Sequence, residues 1–302
     1  MIWMYTVEGK DFCATDVASF TQLMDVARIN WVWIDVFDPN EKEMEILSEL
    51  LGNKPEIVEK FKTMTDKLLD SRGDNYLFCD YEKINEFGYV TLPSIDFNEG
   101  LLVYPILLAK KKKMIITWGE EGKIHSKIVK RTIKRLREGI EAGQDLNSSL
   151  VISVLFHELA IKNSKIMLII RERIDHLEES ALENGGKKLI HCVFSLKRAI
   201  SNLYRLMIEE KDFMLDVDKS MIALTNLNHK SRPIVDEAIE IIDRDLDFID
   251  SYTKTLDSIL TLQDLSSIHK VESSINYLTI ILVIGTAILI FFEFISILGL
   301  LH

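Results

Sequence analysis

The sequence predicts an α+β cytosolic domain, layered as an α/β/α sandwich, followed by long stalk helices and a C-terminal transmembrane helix. Three observations lead there. Up to Gly119, short β-branched and aromatic runs alternate with helical patterns. After Gly119 the chain turns to long helical periodicity, with Pro233 as its only proline. From Ile275 to Leu301, 27 residues carry a single charge, Glu293, whereas about 20 apolar residues already cross the roughly 30 Å core of a bilayer as a helix.

Strands are expected at Trp31 to Val36, Tyr76 to Tyr81, Leu101 to Leu108 and Met114 to Thr117. Asp38-Pro39-Asn40 opens a helix over Glu41 to Leu51, and Gly52-Asn53 closes it. Ser71 to Asp74 and Pro93-Ser94 read as turns or loops. Helices follow at Lys123 to Ala142, at Ser148 to Glu183 and, after the Gly185-Gly186 break, at Leu189 to Ser231. From Ile234 to Ile284 there is neither Gly nor Pro, so one helix runs into the membrane span, about 100 Å long at roughly 1.5 Å per residue. The expected divisions are 1–145 for the sheet domain, 146–233 for long antiparallel helices, 234–274 for a stalk helix and 275–301 for the span.

Composition and termini narrow the setting. With 47% hydrophobic and 27% charged residues the chain is not a disordered one. The N-terminus has no positive region leading into an apolar stretch, so no signal peptide is expected. Lys270 and His269 precede the span and only His302 follows it. The expected placement is in the cell membrane, with the N-terminal domain cytoplasmic and the C-terminus outside. Cys13, Cys79 and Cys192 are scattered and form no CxxC. That fits a reducing compartment and argues against a disulfide framework or a thiolate zinc site, each cysteine being expected as a small buried hydrophobe.

The stalk carries two stripes. Val235, Ile239, Ile242, Leu246, Ile249, Thr253, Leu256, Leu260 and Gln263 follow at spacings of 4 and 3, a heptad seam for packing on neighbouring helices. One residue on run Asp236, Glu240, Asp243, Asp247, Asp250, Lys254, Asp257, Thr261 and Asp264. Between Ile234 and Ser274 ten acidic residues meet three basic ones, which puts -7 of the chain's net charge of -11 in that stretch. Carboxylates at i, i+3 and i+4 repel by a few tenths of a kcal/mol per pair. The stripe is either a solvated coiled-coil face or a surface that collects divalent cations through oxygen ligands, as Mg²⁺ does with one or two carboxylates and several waters. The candidate metal ligands are Asp236, Glu237, Glu240, Asp243, Asp247 and Asp250.

Inside the span the polar residues Asn276, Thr279, Thr286 and Glu293 fall within an arc of about 100°, at 100° per residue. Such a seam faces protein or water. An intramembrane Glu is by default a functional-site hypothesis, and a ring of them around an axis selects cations. The alternative is that Asn and Thr hold helices together while Glu293 snorkels to the interface.

Trp31, Ile34 and Asp35 followed by Pro39, and Leu177-Glu178-Glu179 closing the stretch from Ser153, resemble motifs of the CorA family of divalent-cation transporters. The first of these, with the Glu41 helix, resembles the family's opening motif. Lys113 to Glu121 is similar to its strand before an acidic turn, and Ser153 to Leu182 is similar to its helix ending Leu-Glu-Glu, here Leu177-Glu178-Glu179. Leu196 to Asp216 is similar to the next helix, and Leu265 to Ser267 with Leu278 to Ile281 resembles the lower stalk and the start of a pore-lining helix. The family's Gly-Met-Asn is replaced by Phe294-Ile295-Ser296-Ile297-Leu298-Gly299, and a second membrane helix is not present in this sequence. The resemblance implies a homopentamer that passes Mg²⁺, Co²⁺ or another divalent cation, with Asn276, Thr279, Thr286 and Glu293 lining the pore and regulatory metal between stalks around Asp236 and Glu237. The alternative is a non-conducting, tail-anchored metal sensor or accessory subunit.

Other classes find little support. Eleven cations lie between Lys110 and Arg137, but the net charge of -11 argues against a nucleic-acid partner. A basic helix with Ile124, Ile128, Ile133, Leu136 and Ile140 apolar could bind phosphates or an anionic membrane surface, but the preferred reading is a helix packed on the sheet whose cations pair with acidic stalks or lipid head groups. There is no P-loop, GxGxxG, GxSxG or HExxH, and no enzymatic activity is expected. His157-Glu158 and Asp175-His176 read as surface or interhelix residues.

Overall fold

A computed structural model describes residues 2–8, 11–16, 31–37, 39–50, 79, 81–84, 86–98, 100–119, 123–182 and 186–299. The chain begins with an antiparallel hairpin, β1 (Ile2–Glu8) and β2 (Asp11–Asp16). Strand β3 (Val32–Phe37) follows and leads to helix α1 (Glu41–Leu50). Strands β4 (Tyr81–Ile84), β5 (Phe87–Phe97), β6 (Leu101–Lys111) and β7 (Met114–Gly119) then run as an antiparallel meander. The seven strands form one mixed sheet in the order β2-β1-β3-β7-β6-β5-β4, in which β3 and β7 are the parallel pair.

Alternation builds the sheet's two faces. On one, Val32, Ile34 and Val36 of β3 meet Met114, Ile116 and Trp118 of β7, Leu107 and Ala109 of β6, and Phe87 and Tyr89 of β5, with Leu47 of α1 among them. Trp33, Val90, Leu92, Leu108 and Ile115 are buried at the alternate positions. Between β3 and β7 the cross-strand pair Asp35 and Thr117 is buried, and the Thr117 hydroxyl donates to Asp35 Oδ1 at 2.6 Å while Trp33 Nε1 donates to Thr117 Oγ1 at 2.9 Å. Asp35, one of the opening-motif residues, thus ties two strands together. The helix start expected after Pro39 forms as a reciprocal cap: Glu43 N donates to Asn40 Oδ1 at 3.0 Å and Asn40 N to Glu43 Oε2 at 2.8 Å. Burial pushes the Glu43 carboxyl up, but its hydrogen bonds more than offset this and hold it below the usual value.

Five helices complete the chain: α2 (Lys123–Glu141), α3 (Ser148–Ser164), α4 (Ile166–Leu182), α5 (Lys187–Asp218) and α6 (Arg232–Gly299). Helix α2 packs against α3 and β2, burying Ile128, Leu136 and Ile140 and keeping Lys127, Lys130, Arg131 and Lys134 exposed. The single helix expected over Ser148 to Glu183 is two, interrupted at Lys165, whose N–H closes back on Lys162 O. Asn and Ser side chains compete with helical backbone bonds, and here Asn163 reaches β5 while Ser164 reaches α6. The next helix stops at Asp218, short of the expected Ser231. Asn228 Oδ1 then accepts from Lys230 N and Ser231 N, and Pro233 falls in the first turn of α6.

Two compact units divide the chain: 1–171 with 198–251, and 172–197 with 252–302. In the first, Val235, Ile239, Ile242 and Ile249 of α6 are buried, as the heptad seam requires. In the second, Leu256, Ile259 and Gln263 of α6 are buried, as are Ile174, Leu189, Val193 and Leu196. From Ile268 to Ser296 the described side chains of α6 are exposed, apart from the half-covered Gly285.

Cysteine differs from expectation. Cys192 is exposed and Cys79 is half-buried, so neither is fully enclosed as the sequence suggested. Cys79 lies beyond a helix or strand at φ 59°, and Cys192 falls on an outer position of α5. The side chain of Cys13, most of the Tyr76 to Tyr81 strand, the Gly52-Asn53 stop and the Ser71 to Asp74 turn lie outside the described residues. Pro93-Ser94, expected as a turn, lies within β5, where Pro93 pairs with Pro105 of β6.

Candidate cation sites

Helix α6 positions both sets of candidate residues. Its seam faces inward, so the residues one step round from it face out, and Asp236, Glu237, Glu240, Asp247 and Asp250 are exposed while Asp243 is half-buried. They are strung along the helix at roughly one per turn, each about 1.5 Å further along the axis per residue. Among the described residues no three His, Cys, Asp or Glu side chains converge as a metal set.

Asp243 and Glu237 carry cations from the protein itself. Asp243 Oδ1 lies 2.5 Å from Lys211 Nζ of α5, an ammonium whose pKa this bond raises against the effect of burial. Glu237 belongs to a cluster joining α2, α3 and α6. Its Oε2 accepts from His157 Nε2 at 3.1 Å and from Arg135 Nη2 at 3.4 Å. The Arg135 Nη1 group contacts His157 Nδ1, and it lies 3.8 Å from Glu158 Oε1. One tautomer satisfies these contacts: Nδ1 accepts from Arg135 and Nε2–H donates to Glu237.

His157 and Glu158 are 3% and 8% exposed, so the cluster is closed on the α3 side and open at Glu237. His157, 3.9 Å away, and after it Arg135 and Arg131 hold the Glu158 carboxyl below the usual range despite burial. Burial pushes Glu237 up, but His157 and Arg135 more than offset it, and the carboxyl stays below the ordinary value. The sequence placed His157 and Glu158 between helices or on the surface. They are interhelix residues, but their partners Arg135 and Glu237 lie on other helices and no local spacing announces them. Asp175 and His176 are exposed.

The span is built differently. Asn276, Thr279, Thr286 and Glu293 are exposed along with the described apolar side chains around them. Among the described residues none covers the most apolar 18-residue window of α6, which is long and apolar enough to cross a membrane. Thr279 and Thr286 donate their hydroxyls to the carbonyls of Ile275 and Leu282, both at 2.8 Å, so each satisfies its proton on its own helix and leaves an oxygen lone pair outward. A residue missed in the sequence extends the seam: Glu272 stands seven before Thr279, so Glu272, Thr279, Thr286 and Glu293 form one column at heptad spacing. Ile268, Ile275, Leu282 and Leu289 form the column beside it.

Comparison with known proteins decides the class. A family model described as CorA-like Mg²⁺ transporter protein matches residues 30–286. The chain belongs to this CorA-like family of Mg²⁺ transporters. A curated CorA-family relative, the cobalt/magnesium transport protein CorA of Methanocaldococcus jannaschii, is 18% identical over 241 residues, covering 78% of this chain and 70% of its own. The complete structure of the CorA magnesium transporter from that organism aligns at a TM-score of 0.69 and 15% identity, over 92% of this chain and 81% of that one. The full-length CmaX protein aligns at 0.67 and 13% identity with the same coverage. The cytoplasmic domain of ZntB from Vibrio parahaemolyticus aligns at 0.58 and 12% identity, over 88% of this chain and 98% of that one. The CorA-like fold seen here is thus a mixed-sheet domain with long helices and a membrane-capable C-terminal helix.

Proposed function

We propose that this chain moves Mg²⁺ or a related divalent cation, such as Co²⁺, passively down its electrochemical gradient as a homo-oligomer, a pentamer by family resemblance. The observation that carries the reading is that one uninterrupted helix, α6, bears both the acidic stripe and the polar seam. Residues 275–301 cross the membrane with the N-terminal domain cytoplasmic and the C-terminus outside. The columns of α6 turn toward the oligomer axis, so that Asn276, Thr279, Thr286 and Glu293 line the path and the carboxylates at its ends attract the hydrated ion. Cytosolic metal collected between the stalks by Asp236, Glu240, Asp247 and Asp250 holds the closed state. Glu237 and Asp243 contribute less, because Arg135, His157 and Lys211 already neutralise them.

A second reading draws on those same internal ion pairs and on the Phe294-to-Gly299 stretch that stands in place of Gly-Met-Asn. In it the protein is a non-conducting, membrane-tethered metal sensor.

The regulatory half of the proposal is tested by the mass of the detergent-solubilised protein with and without millimolar Mg²⁺, coupled to calorimetric titration. A metal-stabilised oligomer is expected, and changing Asp236, Glu240 and Asp247 to Asn weakens Mg²⁺ binding at least about tenfold, or roughly 1.4 kcal/mol. A monomer or dimer indifferent to Mg²⁺ would sink it.

A further inference from the structure

Beneath the end of α3 lies a polar cluster that the transport reading does not use. Glu210 of α5 is 0% exposed and Asp245 of α6 is 1% exposed. Each spends one oxygen on adjacent residues of α3: Asn163 Nδ2 donates to Glu210 Oε2 at 3.1 Å, and Ser164 Oγ donates to Asp245 Oδ1 at 3.0 Å. Asn163 also accepts from Ile95 N at 2.9 Å and donates to Pro93 O at 2.9 Å, which fixes it to β5. The other oxygens, Glu210 Oε1 and Asp245 Oδ2, are buried and receive no hydrogen bond.

We propose that Glu210 is a buried proton-binding site, in which a proton on its carboxyl lets α5 and α6 close together on the end of α3. Two ionised carboxylates at this depth, each with an oxygen unsolvated and unbonded, would cost far more than one neutral acid beside one carboxylate. The neighbouring cations do not remove that cost. Lys162 of α3 donates its ammonium to the Ile95 carbonyl rather than to Glu210, and it faces Asp96 of β5 as well. Arg244 of α6 stands 3.8 Å from the Asp245 oxygen that Ser164 already serves. Among the described residues, Glu209 of α5, with Arg205 beside it, and Cys79 are further titratable groups near this cluster. A metal is the poorer occupant, since no third carboxylate, His or Cys converges with the pair among the described residues.

The electrostatics agree. Burial pushes the Glu210 carboxyl up to about 8, with Asn163 and Lys162 pulling it down and Asp245 pushing it further up. Burial lowers Lys162 to about 8. Because the folded Glu210 keeps a proton that the unfolded chain has released above its ordinary value of 4.5, stability falls as pH rises from there to about 8 and then levels. Lys162 acts in the opposite sense only above about 8, where the folded chain has lost a proton that the unfolded chain keeps up to 10.5.

The full chain in detergent is therefore tested between pH 5 and 8. Wild-type stability should drop, by up to about tenfold per pH unit in the unfolding constant. Glu210→Gln, the neutral isostere, should flatten that drop and gain on wild type as pH rises. Infrared spectra of the wild type at pH 7 should show a protonated-carboxyl carbonyl band that bleaches toward pH 9, a readout that stands even if the variant folds poorly. Parallel pH profiles for the two proteins, absence of the band, or stabilisation by Mg²⁺ that disappears in Glu210→Gln would each overturn the proposal. None of these readouts depends on ion transport.

Discussion

Thr286→Leu is expected to cut Mg²⁺ uptake into proteoliposomes at least about tenfold, leaving the folding of the sheet domain unchanged. Thr286 is the middle of the Thr279, Thr286 and Glu293 run, and beside it stand Leu282 and Leu289. Its hydroxyl proton is spent on Leu282 O, so what it offers an ion's water shell is an oxygen lone pair. Replacing that oxygen with an isobutyl group joins the two flanking aliphatic layers into one, and a continuous apolar constriction stops ions by dewetting. A barrier higher by about 1.4 kcal/mol already gives a tenfold loss. Ile281→Leu is the control, since 281 lies roughly 200° round the helix from Thr279 and should leave uptake unaltered. Equal uptake in wild type and Thr286→Leu would mean that the seam holds helices together and lines no path.

Arg135→Ala should destabilise the folded protein by about 3 kcal/mol, because removing one partner of a buried charge pair strands the other. Glu158 is the stranded group, 8% exposed and left with His157 and the more remote Arg131, whereas Glu237 is half open and recovers water. Arg135→Lys should recover part of the loss, since an ammonium cannot reach His157, Glu158 and Glu237 together as the guanidinium does. The pH dependence has a definite sign. Glu158 and Glu237 are held below their ordinary value of 4.5, so their contribution is complete above that pH and is lost as pH falls through the lowered values. Denaturant midpoints at pH 7 and pH 4 should therefore converge for wild type and Arg135→Ala at the lower pH. A gap that persists or widens at pH 4 would contradict the ion-pair account of this cluster.

What was legible in the sequence was periodic. The heptad seam from Val235 to Gln263 is the buried side of α6, and the Asn40 cap and the strands β3, β6 and β7 stand where β-branched runs and turn residues put them. The hairpin β1 and β2 and the strand β5 were not read, because Gly88 and Pro93 interrupt β5 and its pairing with β6 comes from the other strand. The break at Lys165 follows from Asn163 and Ser164 serving β5 and α6, which no local pattern shows.

The candidate residues divide in the same way. Carboxylates on an outward stripe can be counted from spacing, but which of them are already neutralised depends on Arg135, His157 and Lys211, each on another helix. Asp245 was counted among the stalk's acidic residues. It faces inward because it lies three residues after Ile242 and four before Ile249, beside the seam position that the heptad reading gave to Leu246.

The most direct measurement is Mg²⁺ entry into sealed liposomes bearing the purified full chain, followed with an internal indicator under an imposed inside-negative potential. Passive transport requires entry above empty vesicles that grows with the potential and stops when the gradient is dissipated. Entry indistinguishable from empty vesicles, in a preparation shown to be folded and oligomeric, would contradict conduction and leave a membrane-tethered metal-binding protein.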